Sequence, residues 1–142
     1  MTTLKSAEEL HRLRESNRLV AGVMQNLLEM IEPGTSTLDL DAEAEHLIRE
    51  RGAIPAFKGY RDYPNTICAS INEQVVHGIP SARKLQEGDL LSIDVGVRYR
   101  DFYGDMCRTV PVGKISAAAE RQIQTARICL SEACNKAVRS EE

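Results

Sequence analysis

Leu91, Ile93, Val95 and Val97 alternate with Ser92, Asp94 and Gly96. A period of two puts the four aliphatic side chains on one face of a strand and the Ser, Asp and Gly on the other. Such a strand must bury one face and leave the other free for polar chemistry. The same alternation runs through Ile67, Ala69 and Ile71 against Cys68, Ser70 and Asn72, and a further strand is expected over Arg108 to Val112.

If the chain reverses at Tyr99 and Arg100, Asp94 falls directly opposite Asp105 in Gly104-Asp105-Met106. Like charges placed opposite each other repel. A cation between them would remove the repulsion, and oxygen donors of this kind suit divalent metals. Ordinary turn chemistry also supplies aspartates near hairpin ends, and Tyr99-Arg100 lacks the Gly or Asn that two-residue turns favour.

Before residue 53 the period is helical. Ser6-Ala7-Glu8-Glu9 reads as a capping box, followed by Leu10, Leu13, Val20, Val23, Met24, Leu27, Leu28 and Ile31 at helix spacing up to Glu32-Pro33-Gly34. A second helix is expected after Thr35-Ser36-Thr37, with Leu40, Ala44, Leu47 and Ile48 on one face and Gly52 as its stop. A third begins near Ser116, with Ile123, Ala126, Leu130, Ala133, Ala137 and Val138 forming one stripe for burial. The fold class is therefore α+β, with helices on one face of an antiparallel sheet and the other face open as a site. The third helix runs into Arg139-Ser140-Glu141-Glu142 without a Gly or Asn cap and with two acids where the dipole prefers cations, so the end reads as cut.

The 142 residues are expected to form a single domain, 1–142. A formal charge of −3 supplies no basic field for tracking phosphates, so sequence-specific nucleic-acid binding is not expected. The charges at Lys5, Glu8, Glu9, Arg12, Arg14 and Glu15 interrupt any apolar leader, so no membrane role is expected and the cytoplasm is the expected location. Cys68, Cys107, Cys129 and Cys134 show no zinc-site spacing and fit a reducing compartment.

Phe57-Lys58-Gly59-Tyr60, Tyr63-Pro64, Ile67-Cys68, Ser70-Ile71-Asn72-Glu73, Val75-Val76-His77-Gly78-Ile79-Pro80, Glu87-Gly88-Asp89, Ser92-Ile93-Asp94-Val95-Gly96 and Gly104-Asp105-Met106 together resemble the bacterial, type I methionine aminopeptidases in order and spacing. The likeness covers essentially the whole chain but only the amino-terminal half of that family's. The resemblance implies half of a pita-bread fold and metal-dependent removal of the amino-terminal Met from new proteins, with two divalent ions (Co, Mn, Fe or Zn) per complete site. It implies Asp94 and Asp105 as metal ligands, His77 as the active-site histidine bonding substrate near the scissile amide, and Phe57, Tyr60, Tyr63 and Cys68 as the lining of a pocket for the methionine side chain. Aromatic rings and a soft thiol suit that flexible sulfur-bearing chain. Outside that context, His77 reads as a satisfied structural histidine, Tyr60 and Tyr63 as loop anchors, and Cys68 as a small core residue.

The family completes its ligand shell with a histidine in a Gly-His-Gly segment and two glutamates from the second half. Here the histidines are His11, His46 and His77, all upstream of Asp105, and Glu120, Glu132, Glu141 and Glu142 all fall on the closing helix. The chain alone is therefore expected to be a truncated, inactive form. Two other readings are a homodimer associating through the exposed half-fold seam, and a non-catalytic module that binds Met-first peptides or docks on the ribosome.

Overall fold

A computed structural model describes residues 4–137. The elements run α1 (Ala7–Glu29), α2 (Thr37–Glu50), β1 (Ile54–Pro55), a 3-10 turn (Tyr60–Asp62), β2 (Ile67–Ile71), β3 (Leu90–Tyr99), β4 (Phe102–Pro111) and α3 (Ala117–Lys136). Both early helices open with reciprocal caps. Glu9 N–H donates to Ser6 Oγ at 3.2 Å while the Glu9 carboxylate accepts from Ser6 N–H at 2.7 Å. Ser36 and Asp39 repeat the arrangement, and each such cap contributes about 1 kcal/mol. α2 ends ahead of Gly52, whose φ of 70° carries the chain out of the helix.

β3 is the spine of an antiparallel sheet. β4 pairs with its whole length on one side, while β2 and β1 share the other, β2 opposite Leu91 to Val95 and β1 opposite Val97 and Arg98. Leu91, Ile93, Val95 and Val97 are fully buried against Val20, Val23, Met24 and Leu27 of α1 and Leu40, Ala44 and Ile48 of α2. Each such aliphatic side chain contributes roughly 1.5–3 kcal/mol by leaving water. The outer edge of β4 has no strand partner among the described residues.

Two expectations need correction. The hairpin turns at Arg100 and Asp101, one residue later than expected, with Tyr99 paired to Phe102. Asp94 therefore lies opposite Cys107, and Asp105 opposite Gly96. Both turn residues have positive φ, 49° and 67°, as a type I′ turn requires, without the usual Asn or Gly. The extra hold comes from α1: Ser16 Oγ lies 3.2 Å from Tyr99 O and 3.1 Å from Phe102 O, either of which it reaches as donor. Arg98 binds Asp101 across the same turn at 2.6 Å. A contact from a helix more than eighty residues away thus sets a register that local turn chemistry did not disclose.

The second correction concerns α3. It starts at the expected Ser116 cap, but its stripe is not buried: Leu130 is 67% exposed, and no described residue of the helix is buried. Val138 and the Arg139–Glu142 end lie outside the described residues. α3 instead walls a groove of ≈ 640 Å³ whose lining includes Val75, Ser92, Cys107, Thr109, Ile123 and Leu130. Helical periodicity marks a face suited to burial; it does not say what covers that face.

Candidate metal centre

A shift of two positions preserves the side of the sheet, so Asp94 and Asp105 still share the polar face as diagonal neighbours. Their carboxyl groups come within hydrogen-bonding reach of each other. Burial, then the Asp105 charge, pushes the Asp94 carboxyl up to about 6. A carboxylate held against another carboxylate in a partly desolvated position is the arrangement a divalent cation would relieve. Among the described residues no group of three His, Cys, Asp or Glu side chains is placed to hold a metal ion. The residues present fit a metal as a two-carboxylate donor set.

Cys68, Asp94 and Cys107 form one row across β2, β3 and β4. Burial raises both thiols, and the Asp94 charge adds to it in each. In the sequence Cys107 is read only as a reduced thiol without zinc-site spacing. Its spacing of two from Asp105 was the available signal that it stands on the site face.

Phe57 follows β1, where Ala56 N–H donates to Gly96 O at 2.9 Å. Its ring lies directly over Gly96: a methyl there would meet Phe57 Cε1 at 2.4 Å. Phe57 thus sits beside the row carrying Asp105. Tyr63 Oη reaches Ile67 O at 2.9 Å and Gly78 O at 3.2 Å, and lies within bonding reach of the Cys68 thiol. Its hydroxyl is pushed well above the usual phenol range, by burial first. Tyr60 is set apart, 63% exposed on the 3-10 turn with Arg61 over its ring.

His77 is exposed, has a φ of 57°, and lies near enough for its charge to favour the ionised form of Asp94. The base of the loop bearing it is closed by Asp89, whose carboxylate accepts from Arg83 at 2.9 and 3.2 Å, from Asn72 at 2.8 Å and from Gln86 N–H at 2.9 Å. Arg83 chiefly holds that carboxyl down to about 2. Asp89 was legible as part of Glu87-Gly88-Asp89, but its role was not, because Arg83 and Asn72 reach it only in the folded loop.

A model of the metallopeptidase family M24 matches residues 11–141. Methionine aminopeptidase 1 of Bacillus subtilis is 47% identical over 116 residues, covering 82% of this chain and 47% of that one. The solved methionine aminopeptidase of Thermotoga maritima matches with a TM-score of 0.89 at 32% identity, over 94% of this chain and 54% of that one. That of Rickettsia prowazekii gives 0.86 at 32% identity, over 87% and 50%. The chain spans about half the length of the relatives it matches, and its fold is one half of the expected pita-bread arrangement.

Proposed function

The chain belongs to metallopeptidase family M24, and from that premise we propose that it forms one domain carrying the amino-terminal half of a methionine aminopeptidase site, with Asp94 and Asp105 as ligands to two divalent ions, Co, Mn, Fe or Zn. The observation that carries this reading is the convergence of the two carboxylates on the open face of the sheet, with Asp94 raised to about 6. When bound, the metal supplies Lewis-acid charge at the scissile carbonyl.

The protein's own residues then divide the work. Asp94 and Asp105 bind and orient; His77 donates or accepts a hydrogen bond beside the scissile amide. Phe57, Tyr63 and Cys68 exclude water from around the methionine side chain, Phe57 from its place over Gly96 and Tyr63 and Cys68 from their shared contact, while Tyr60, exposed on the 3-10 turn, stands outside that wall. The substrates are cytoplasmic chains with Met first and a small second residue. Two carboxylates leave a metal's coordination unfilled and without outer support, so the chain alone does not turn over substrate.

Self-association is the second reading, favoured by the edge of β4 that has no strand partner among the described residues and by the exposed stripe of α3. Sedimentation of a monomer at high concentration removes it.

The first reading is tested by calorimetric titration of the purified chain with Mn²⁺, together with an assay of Met release from a Met-Ala peptide. Metal binding that depends on both aspartates, without Met release, is the expected result. Equal metal uptake by wild type, Asp94→Asn and Asp105→Asn would remove the proposed site, as would Met release by the wild-type chain that persists at the same rate in Asp105→Ala and His77→Ala.

A further inference from the structure

His77 carries a left-handed backbone, uncommon outside glycine although His adopts it more readily than most side chains, and such a conformation costs energy that its surroundings must offset. Its own side chain is exposed, and so are its neighbours on the loop: Val75 is 87% and Val76 65% exposed. The hold on His77 must therefore act through the backbone that follows it.

Gly78 supplies that hold. It is buried, its carbonyl accepts from Ala69 N–H at 2.8 Å, and its N–H donates to Ser70 Oγ at 3.0 Å. The approach to β2 is so close that a Cβ at position 78 would lie 2.4 Å from Ala69 O, which only glycine tolerates. Ser70 is itself buried and projects from β2 on the face that carries Cys68 and, one strand over, Asp94. Farther along, Ser81 is fastened to the start of α2 by Thr37. Tyr63 Oη adds a bond to Gly78 O at 3.2 Å on the far side of that residue, and the Ser70 hydroxyl is the side-chain group that takes the N–H of the His77–Gly78 peptide.

We propose that Ser70 is a positioning residue for His77: by accepting the Gly78 N–H it fixes the left-handed turn that presents the imidazole to the Asp94–Asp105 face. The inference rests on the reading of that face as a metal site only for what His77 is aimed at. The anchoring itself stands on the hydrogen bond and the glycine contact. Removing the hydroxyl leaves the Gly78 N–H unpartnered in a buried position, and the turn loses the constraint that holds His77.

The test uses the full chain, isotope-labelled, with Mn²⁺ alone as a paramagnetic probe. In wild type, Mn²⁺ broadens the ring protons of His77 severalfold more than those of His11 and His46, and the Cα and Cβ shifts of His77 report left-handed backbone. In Ser70→Ala the Gly78 amide exchanges faster, the His77 shifts move toward averaged values and its ring broadening falls severalfold, while Val95 and Met106 amides stay broadened. Ser70→Thr, which keeps the hydroxyl, restores all three. Unchanged His77 shifts in Ser70→Ala, beside a deprotected Gly78 amide, would overturn the proposal. Absence of Mn²⁺ broadening near Asp94 in wild type would instead count against the metal reading, and the His77 shifts would still decide the role of Ser70. Should Ser70→Ala fail to fold, Ser70→Cys, a much weaker acceptor of similar shape, carries the same comparison.

Discussion

The ring of Phe57 occupies the space that a side chain at position 96 would need, with a Cβ there lying 2.4 Å from Cε1 and 2.9 Å from Cζ. Gly96 is paired with Asp105, so this contact brings an apolar wall to the edge of the carboxylate pair. Gly96→Ala must displace the ring and is expected to cost about 1–3 kcal/mol, the usual range for overpacking. Chemical denaturation of Gly96→Ala, Phe57→Leu and the double variant checks it. A large favourable coupling is expected, and strictly additive losses would show that the ring moves aside freely.

Asp94 is the group whose titration the fold disfavours. Its folded carboxyl is raised to about 6 from an ordinary value of 3.8, so the contribution it makes is fully present below 3.8 and is lost as pH rises through 6. Asp94→Asn, which carries no charge at any of these pH values, should therefore unfold at a higher temperature than wild type at pH 7. The advantage should shrink to nothing below pH 4. Thermal melts across pH 3.5 to 7.5 measure it, and a constant difference would contradict the assignment.

The register of the hairpin depends on α1. A Cβ at Gly104 would meet Ser16 O at 2.5 Å, a backbone atom that cannot swing away, so Gly104→Ala should push α1 off β4. The expected loss is again about 1–3 kcal/mol. Ser16→Ala should cost less, about 0.5–1.5 kcal/mol for one neutral hydrogen bond. Urea unfolding ranks the two, and the reverse order would mean that the hydroxyl holds α1 to the hairpin more strongly than the close approach does.

Asp89 ties Arg83, Asn72 and Gln86 to one buried carboxylate. Asp89→Ala strands those donors and should cost about 1.5–3 kcal/mol, the range for hydrogen bonds to a charged group. Because the wild-type carboxyl is held down to about 2, its contribution is present above pH 3.8 and fades as pH falls toward 2. Hydrogen exchange of residues 72–88 should accelerate in the variant well before that of β3.

The helices α1 and α2, their Ser6 and Ser36 caps, and the buried face of β3 were readable because each is written in local spacing: 3.6 for the stripe from Leu10 to Ile31, two for Leu91 to Val97. The shared face of Asp94 and Asp105 was readable for the same reason. Side-chain direction alternates with a period of two, and a turn displaced by one residue moves the register by two and leaves the sides unchanged. The partner of Asp94 was not readable, since Ser16 decides the turn from across the core. Nor was the exposure of α3, whose stripe resembles any helix that packs.

What the amino-acid order determined by itself, then, was which faces are apolar and which residue types share the polar one, because side-chain direction follows from backbone periodicity within a few residues. Only the tertiary structure decided that Cys107 stands opposite Asp94, that Phe57 fills the gap over Gly96, and that Gly78 is pinned by Ser70. Those contacts join residues distant in sequence, and their geometry exists only after the hydrophobic core has fixed the helices and strands relative to one another.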